Sequence, residues 1–342
     1  MTSLGRWRTL LPGAALLATW TIAAAQTPLP LPGPAAGGAA GIAQAPAGDL
    51  AQRAAQADRL ATEAFKAVRQ LRDTVRPADE DRAAALASAS IGADRLALVG
   101  AEMTPLVTTV GSLESKLIAT DPRWAGAIAR QLAARGVGPG SAVCASFSGS
   151  FPGLNVAVMA AVRSLGARLV AVSSVTASSW GANQPGLTWP EMEAAIVAAG
   201  VMPAASLAVS LGGTRDAARD LTPEAQALAR GIQETAAGRL SAGVLRTTTL
   251  AEAIAARLDV YRRALGDGRR PVVYVNVGGN HASLGGANAP LRHDGGWLTA
   301  MPEGGKSADS VLHAYLAEGV PVLSLLNIKA LAIEWGPGAK RP

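Results

Sequence analysis

Apolar positions recur at three- and four-residue steps from Asp49 to Val75, through Leu50, Ala54, Ala57, Leu60, Ala61, Ala64, Val68 and Leu71. That period predicts one amphipathic helix. Arg53, Arg59, Lys66, Arg69 and Arg72 fall mostly off the stripe, and Pro77 ends the pattern. A second short helix is expected over 79–88. From about Leu96 short apolar runs alternate with longer helical stretches. The predicted strands are 141–147, 168–175, 206–211, 271–277 and 320–326. The predicted helices are 122–135, 152–165, 189–199, 223–237, 250–265 and 309–318. Asp121 before Pro122 reads as an N-cap followed by proline at the first helical position. Val273, Val275 and Val277 are β-branched, and the neighbouring strands are apolar on both faces. The expected fold class is α/β: a mostly parallel sheet with helices on both faces, preceded by an N-terminal helical segment.

The beginning of the chain has another character. Arg6 and Arg8 precede an apolar run from Leu10 to Ala25, and Ala23-Ala24-Ala25 offers small residues before Gln26. Residues 1–25 therefore read as a signal peptide or as an uncleaved N-terminal membrane anchor. Residues 26–48 are a Pro/Gly/Ala linker. A single α/β domain is expected over 49–335, its 49–90 portion helical, with a tail at 336–342. The expected location is outside the cytoplasm, in the periplasm or on the outer face of the cytoplasmic membrane.

Composition narrows the partners. Hydrophobic residues make up 49% of the 342 and charged ones 16%, which argues against disorder over most of the chain. With aromatics at 4%, the core must be built from Ala, Val, Leu and Ile. The formal charge of +6 suits an anionic partner, although a general preference for Arg is the simpler account of the charge taken alone. Arg is scattered along helices and no nucleic-acid motif is present, so no nucleic-acid partner is expected. The single cysteine, Cys144, sits in an apolar run and reads as a core residue. His281, His293 and His313 lack zinc spacing, so neither a metal nor a cofactor is expected.

Polar chemistry gathers where predicted strands end, the place at which open parallel sheets bind ligands. Ser148-Gly149-Ser150 follows the first strand and leads into the helix at Pro152, whose N-terminus favours an anion; capping by Ser150 is the simpler structural role. Ser178, Ser179 and Asn183 follow the second strand. Asn276, Asn280 and His281 occupy the end of the strand at 271–277 and its exit. An earlier polar run, taken as a loop, offers Glu114 as a general acid or base and Lys116 as an anion contact. Ser148, Ser150, Glu114 and His281 are the catalytic candidates; Ser148 with His281 would follow nucleophile–base logic, although a full Gly-x-Ser-x-Gly is missing. Ligand-binding candidates are Ser148, Gly149, Ser150, Ser178, Ser179, Asn183, Asn276, Asn280 and Lys116.

These segments also carry a family likeness. Gly111-Ser112-Leu113-Glu114-Ser115-Lys116 with Thr120-Asp121-Pro122, Ser148 to Pro152, Ser178 to Asn183 and Leu187 to Glu193 form its first part. Ser210-Leu211-Gly212-Gly213, Asn276 to Gly279 and Val320 to Lys329 complete it. In this order, over about 98–335, the chain resembles the poly-γ-glutamate system protein family. The resemblance implies an envelope accessory component of a poly-γ-glutamate synthesis and export system, with the anionic polymer or its synthase and export proteins as partners. It transfers no catalytic residue. Three readings follow: a polymer- or synthase-binding component, a hydrolase or transferase of the γ-glutamyl amide bond using a serine or carboxylate, and an assembly scaffold whose polar loops only cap helices.

Overall fold

The computed structural model describes residues 47–77, 80–87, 89–286 and 295–337. The expected export segment, nearly all of the linker, and His293 lie outside the described residues. The chain opens with α1 (Ala47–Val75), α2 (Glu80–Leu86) and α3 (Ala93–Leu96). Next come β1 (Val107–Thr109), α4 (Leu113–Ala119), α5 (Trp124–Ala133), β2 (Ala142–Phe147), α6 (Pro152–Ser164) and β3 (Arg168–Ser174). The middle holds β4 (Ala177–Ser178), β5 (Asn183–Gln184), β6 (Leu187–Thr188), α7 (Trp189–Ala198), β7 (Ser206–Ser210), α8 (Pro223–Leu240), β8 (Gly243–Val244) and α9 (Leu250–Leu265). Last are β9 (Val273–Val277), α10 (His281–Leu284), β10 (Gly296–Leu298), α11 (Val311–Ala317), β11 (Val322–Leu325) and α12 (Ile328–Glu334).

Seven strands form one sheet in the order β10-β11-β9-β2-β3-β7-β8. All neighbours are parallel except the edge strand β10, which runs antiparallel to β11. The fold is therefore α/β, as the alternation of patterns predicts. Residues along β2 alternate between two cores. Val143, Ala145 and Phe147 join the helices α1, α5, α6 and α7, whereas Ala142 and Cys144 join α9, α10 and α11. Both sheet faces are thus covered, which is why the strands read as continuous apolar runs.

α1 belongs to the domain. Ala54, Ala57, Ala61, Ala64 and Val68 are buried, and such small residues let it approach α5, α6 and α7 closely. Near its end the buried Arg72 donates from Nε to the Ala97 carbonyl (2.9 Å), from Nη2 to the Val99 carbonyl (3.0 Å) and from Nη1 to Gln184 Oε1 (2.9 Å). Among the described residues no helix is long and apolar enough to cross a membrane.

The topology creates one reversal. From β2 the chain steps outward through β3, β7 and β8, then returns to place β9 on the other side of β2. The loops leaving β2 and β9 therefore part in opposite directions. Between them, beyond the carboxyl ends of the strands, lies the crevice expected at a topological switch point.

Candidate functional site

A cavity of about 480 Å³ occupies that crevice. This falls within the size range of small-molecule sites. Five separate segments wall it. The β2 exit brings Ser148, Ser150 and Phe151; the β9 exit brings Asn280 and His281; Ser178 comes from β4; Lys116 comes from α4. Thr176 and the Gly212-Gly213-Thr214 stretch, with Asp220, complete the wall.

The site begins with local backbone requirements. Gly149 lies so close to the next loop that a Cβ would come within 2.9 Å of the Thr176 carbonyl oxygen and 3.0 Å of Ala177 Cβ. The β2 exit can therefore nest against β4 only with glycine there. Serine hydroxyls then link the segments in series. Ser148 Oγ accepts from the Ser150 N–H (3.0 Å), Ser150 Oγ accepts from the Ser178 N–H (3.1 Å), and Ser178 Oγ accepts from Lys116 Nζ (2.7 Å). Ser150 is thus not the cap of α6. The N-cap position is Phe151, which provides no side-chain cap, and the first turn of α6 packs on α4, with Gly153 against the Ala119 carbonyl.

Lys116 is the most unusual group in the cavity. The polar run at 112–116 is not a loop: Ser112 caps α4 by accepting from the Ser115 N–H at 3.4 Å. Residues two apart on a helix point to different faces. Glu114 accordingly projects to solvent and pairs with Lys329, outside the cavity, while Lys116 turns inward and is 4% exposed. Its Nζ donates to the Ser150 carbonyl at 2.5 Å and lies 3.8 Å from the Phe151 ring centroid. No carboxylate among the described residues forms an ion pair with it. Burial without a counter-charge disfavours the ammonium and lowers the Lys116 pKa to about 7.

Other predicted residues serve the frame. Asn183 is fully buried and grips Ala101, accepting from its N–H (3.1 Å) and donating to its carbonyl (2.7 Å). Asn276 accepts from Ser283 Oγ (2.6 Å) and donates to the Gly278 carbonyl (2.9 Å). Ser179 donates its backbone N–H to the Thr109 carbonyl, joining β4 to β1. His281 lines the cavity, but its Nδ1 accepts from the Arg215 N–H at 3.4 Å, and among the described residues no hydrogen bond joins it to Ser148. The Ser148–His281 nucleophile–base pair is therefore not assembled.

Beneath the cavity lies a network that no motif announces. Arg257, from α9, is fully buried and grips Asp216 through Nε (2.8 Å) and Nη2 (2.9 Å). It also donates to the hydroxyls of Ser146, Ser174 and Ser210. Burial alone would pull its pKa down, but Asp216 outweighs that and the net shift is upward. Asn280 Nδ2 donates to Asp216 Oδ1 (2.9 Å) and Ser174 Oγ (3.1 Å), so the ion pair holds one wall of the cavity. The segment bearing Asp216 is strained: Arg215, Asp216 and Ala218 all have left-handed φ (59°, 60° and 51°). One signal was available in sequence: Arg257 sits on the apolar stripe of α9 with Ala253, Ile254 and Tyr261.

Among the described residues no group of three His, Cys, Asp or Glu side chains is placed to hold a metal ion. Comparison with protein-family models, curated proteins and solved structures gives no match. The functional reading therefore rests on the site itself and on the motif likeness.

Proposed function

We propose that this chain is an exported accessory component of a poly-γ-glutamate system and that the crevice cavity binds a carboxylate-bearing stretch of that polymer. The observation that carries the reading is Lys116. It is a buried cation without a carboxylate partner among the described residues, in a cavity wall rich in hydroxyl and amide groups. A carboxylate entering the cavity would supply the missing counter-charge and raise the Lys116 pKa from about 7, so binding and protonation reinforce each other. The Ser178 hydroxyl, beside Lys116 in the cavity wall, offers a further polar contact. The net charge of +6 favours approach of a polyanion, and repeated weak contacts along a polymer add by avidity. The N-terminal targeting pattern supports a location in the periplasm or on the outer face of the cytoplasmic membrane.

Calorimetric titration of the purified domain with poly-γ-glutamate tests this. Binding should weaken as salt rises, and Lys116→Met should weaken it at least about tenfold, the loss expected for a charge-assisted contact of roughly 1.5–3 kcal/mol. Absence of binding at low salt refutes the polymer reading. Binding that ignores Lys116→Met moves the ligand site elsewhere.

A further inference from the structure

The same cavity holds an arrangement that goes beyond binding. We propose that Ser178 and Lys116 form an acyl-transfer pair, with Ser178 Oγ as nucleophile and the Lys116 amine as its base, acting on an amide carbonyl of an acidic chain seated in the cavity. The choice of substrate class rests on the polymer-binding reading; the pair itself rests on geometry.

Three features single out Ser178 from the other serines. Its Oγ is 2.7 Å from Lys116 Nζ, whereas Ser148 Oγ and Ser150 Oγ accept from backbone N–H groups. It sits on a paired strand, β4 against β1, with its N–H bound to Ser150 Oγ, so its position is fixed. Both partners border the cavity while being 5% and 4% exposed, which shields the pair from bulk water. The Lys116 amine is also aimed. In the neutral form one N–H donates to the Ser150 carbonyl at 2.5 Å, leaving the nitrogen lone pair free to accept the Ser178 O–H. With its pKa lowered to about 7 while no carboxylate faces it, a substantial fraction of Lys116 is neutral at ordinary pH, so the step runs when an amide of the chain, and not a carboxylate, lies against the amine.

The step balances with water as the only co-reactant. Ser178 Oγ forms a bond to the carbonyl carbon as its proton passes to Lys116 Nζ. The C–N bond then breaks, and the Lys116 ammonium returns that proton to the departing amine. Water attacks the acyl-Ser178 carbonyl and gives one proton to Lys116; as the ester C–O bond breaks, Lys116 returns that proton to Ser178 Oγ, releasing a carboxylic acid and regenerating Ser178 and the neutral amine. An amine of a second chain in place of water gives transfer instead of hydrolysis.

A fluorophosphonate probe tests the pair without any polymer. Ser178 Oγ displaces fluoride from phosphorus, its proton passes to Lys116, and the adduct is located by peptide mass spectrometry. The expected result is a single adduct on Ser178, absent from Ser178→Ala. In the wild type its formation rate should climb by about tenfold per pH unit below pH 7 and level off above it, following the neutral fraction of Lys116. Lys116→Met should lower the rate at least about a hundredfold, the low end of what one general base contributes. No adduct, an adduct on Ser148 or Ser150, or a rate flat between pH 5 and 9 would overturn the assignment; the wild-type pH profile decides even if Lys116→Met fails to fold. Labelling of the wild type needs no polymer and titration of the wild type with polymer needs no nucleophile, so failure of this pair and failure of the polymer-binding reading are read in separate experiments.

Discussion

Replacing Asp216 by alanine isolates the ion pair beneath the cavity. Arg257 would keep its charge while fully buried, with only three hydroxyls and no carboxylate to face it. At the 2.8 Å separation of Arg257 Nε and Asp216 Oδ2, the Coulomb attraction is about 6 kcal/mol at an effective dielectric near 20. The hydroxyls and local relaxation recover part of that. The expected loss is about 3–5 kcal/mol, the usual cost of stranding one member of a buried pair. Relief of the left-handed backbone at Asp216 is not expected to offset this, because alanine is no better suited to that conformation. For a domain of this size the loss corresponds to a fall in melting temperature of roughly 5–8 °C. Scanning calorimetry of wild type and Asp216→Ala reads it directly. Asp49→Ala removes the half-exposed pair with Arg53 and serves as control, with an expected change below about 1 kcal/mol. If the two variants melt within a degree of each other, the network beneath the cavity does not stabilise the fold as reasoned here.

Further outcomes follow from single groups. Lys116 takes up its proton below about 7 in the fold and below 10.5 when unfolded, so between those values the unfolded chain binds more protons. Its burial penalty is therefore full below pH 7 and fades as pH rises towards 10.5, and the stability gained by Lys116→Met in urea unfolding should shrink over the same range. Burial raises the Cys144 thiol to about 12, so iodoacetamide at pH 8 should modify no cysteine in the native protein and one equivalent after unfolding. Glu114→Gln removes only the solvent-facing pair with Lys329, so polymer binding should stay unchanged and melting should shift by less than about 1 kcal/mol equivalent.

The elements most legible in the sequence were those whose periodicity reflects burial. The run from Ala142 to Phe147 is buried at every position, and Leu250–Leu265 carries both a capping box at Thr249–Glu252 and a clear stripe. α4 escaped because its seven residues include Glu114, Ser115 and Lys116, leaving no apolar stripe to detect. Once it is a helix, the two-residue spacing explains why Lys116 enters the cavity and Glu114 leaves it. The site was half legible for the same reason. Strand exits marked where polar residues gather, but the identity of the partners depends on long-range packing. Asn183 and Asn276 were spent on neighbouring peptide groups, and Ser178 was joined to Lys116 across 62 positions. Asp216 and Arg257 lie 41 apart and become partners only when α9 closes over the strand ends.

The borders of the sheet carry a consequence for how native molecules can meet one another. One border is the two-residue β8 and the other the three-residue β10, which reverses direction. Neither provides a long, flat row of unpaired peptide groups onto which another molecule's strand could add. The central strands, rich in valine and alanine and prone to self-association if bared, sit at least one strand in from either border. Among the described residues, native molecules crowded together would therefore lack the template for strand-by-strand stacking, which would become available only on unfolding.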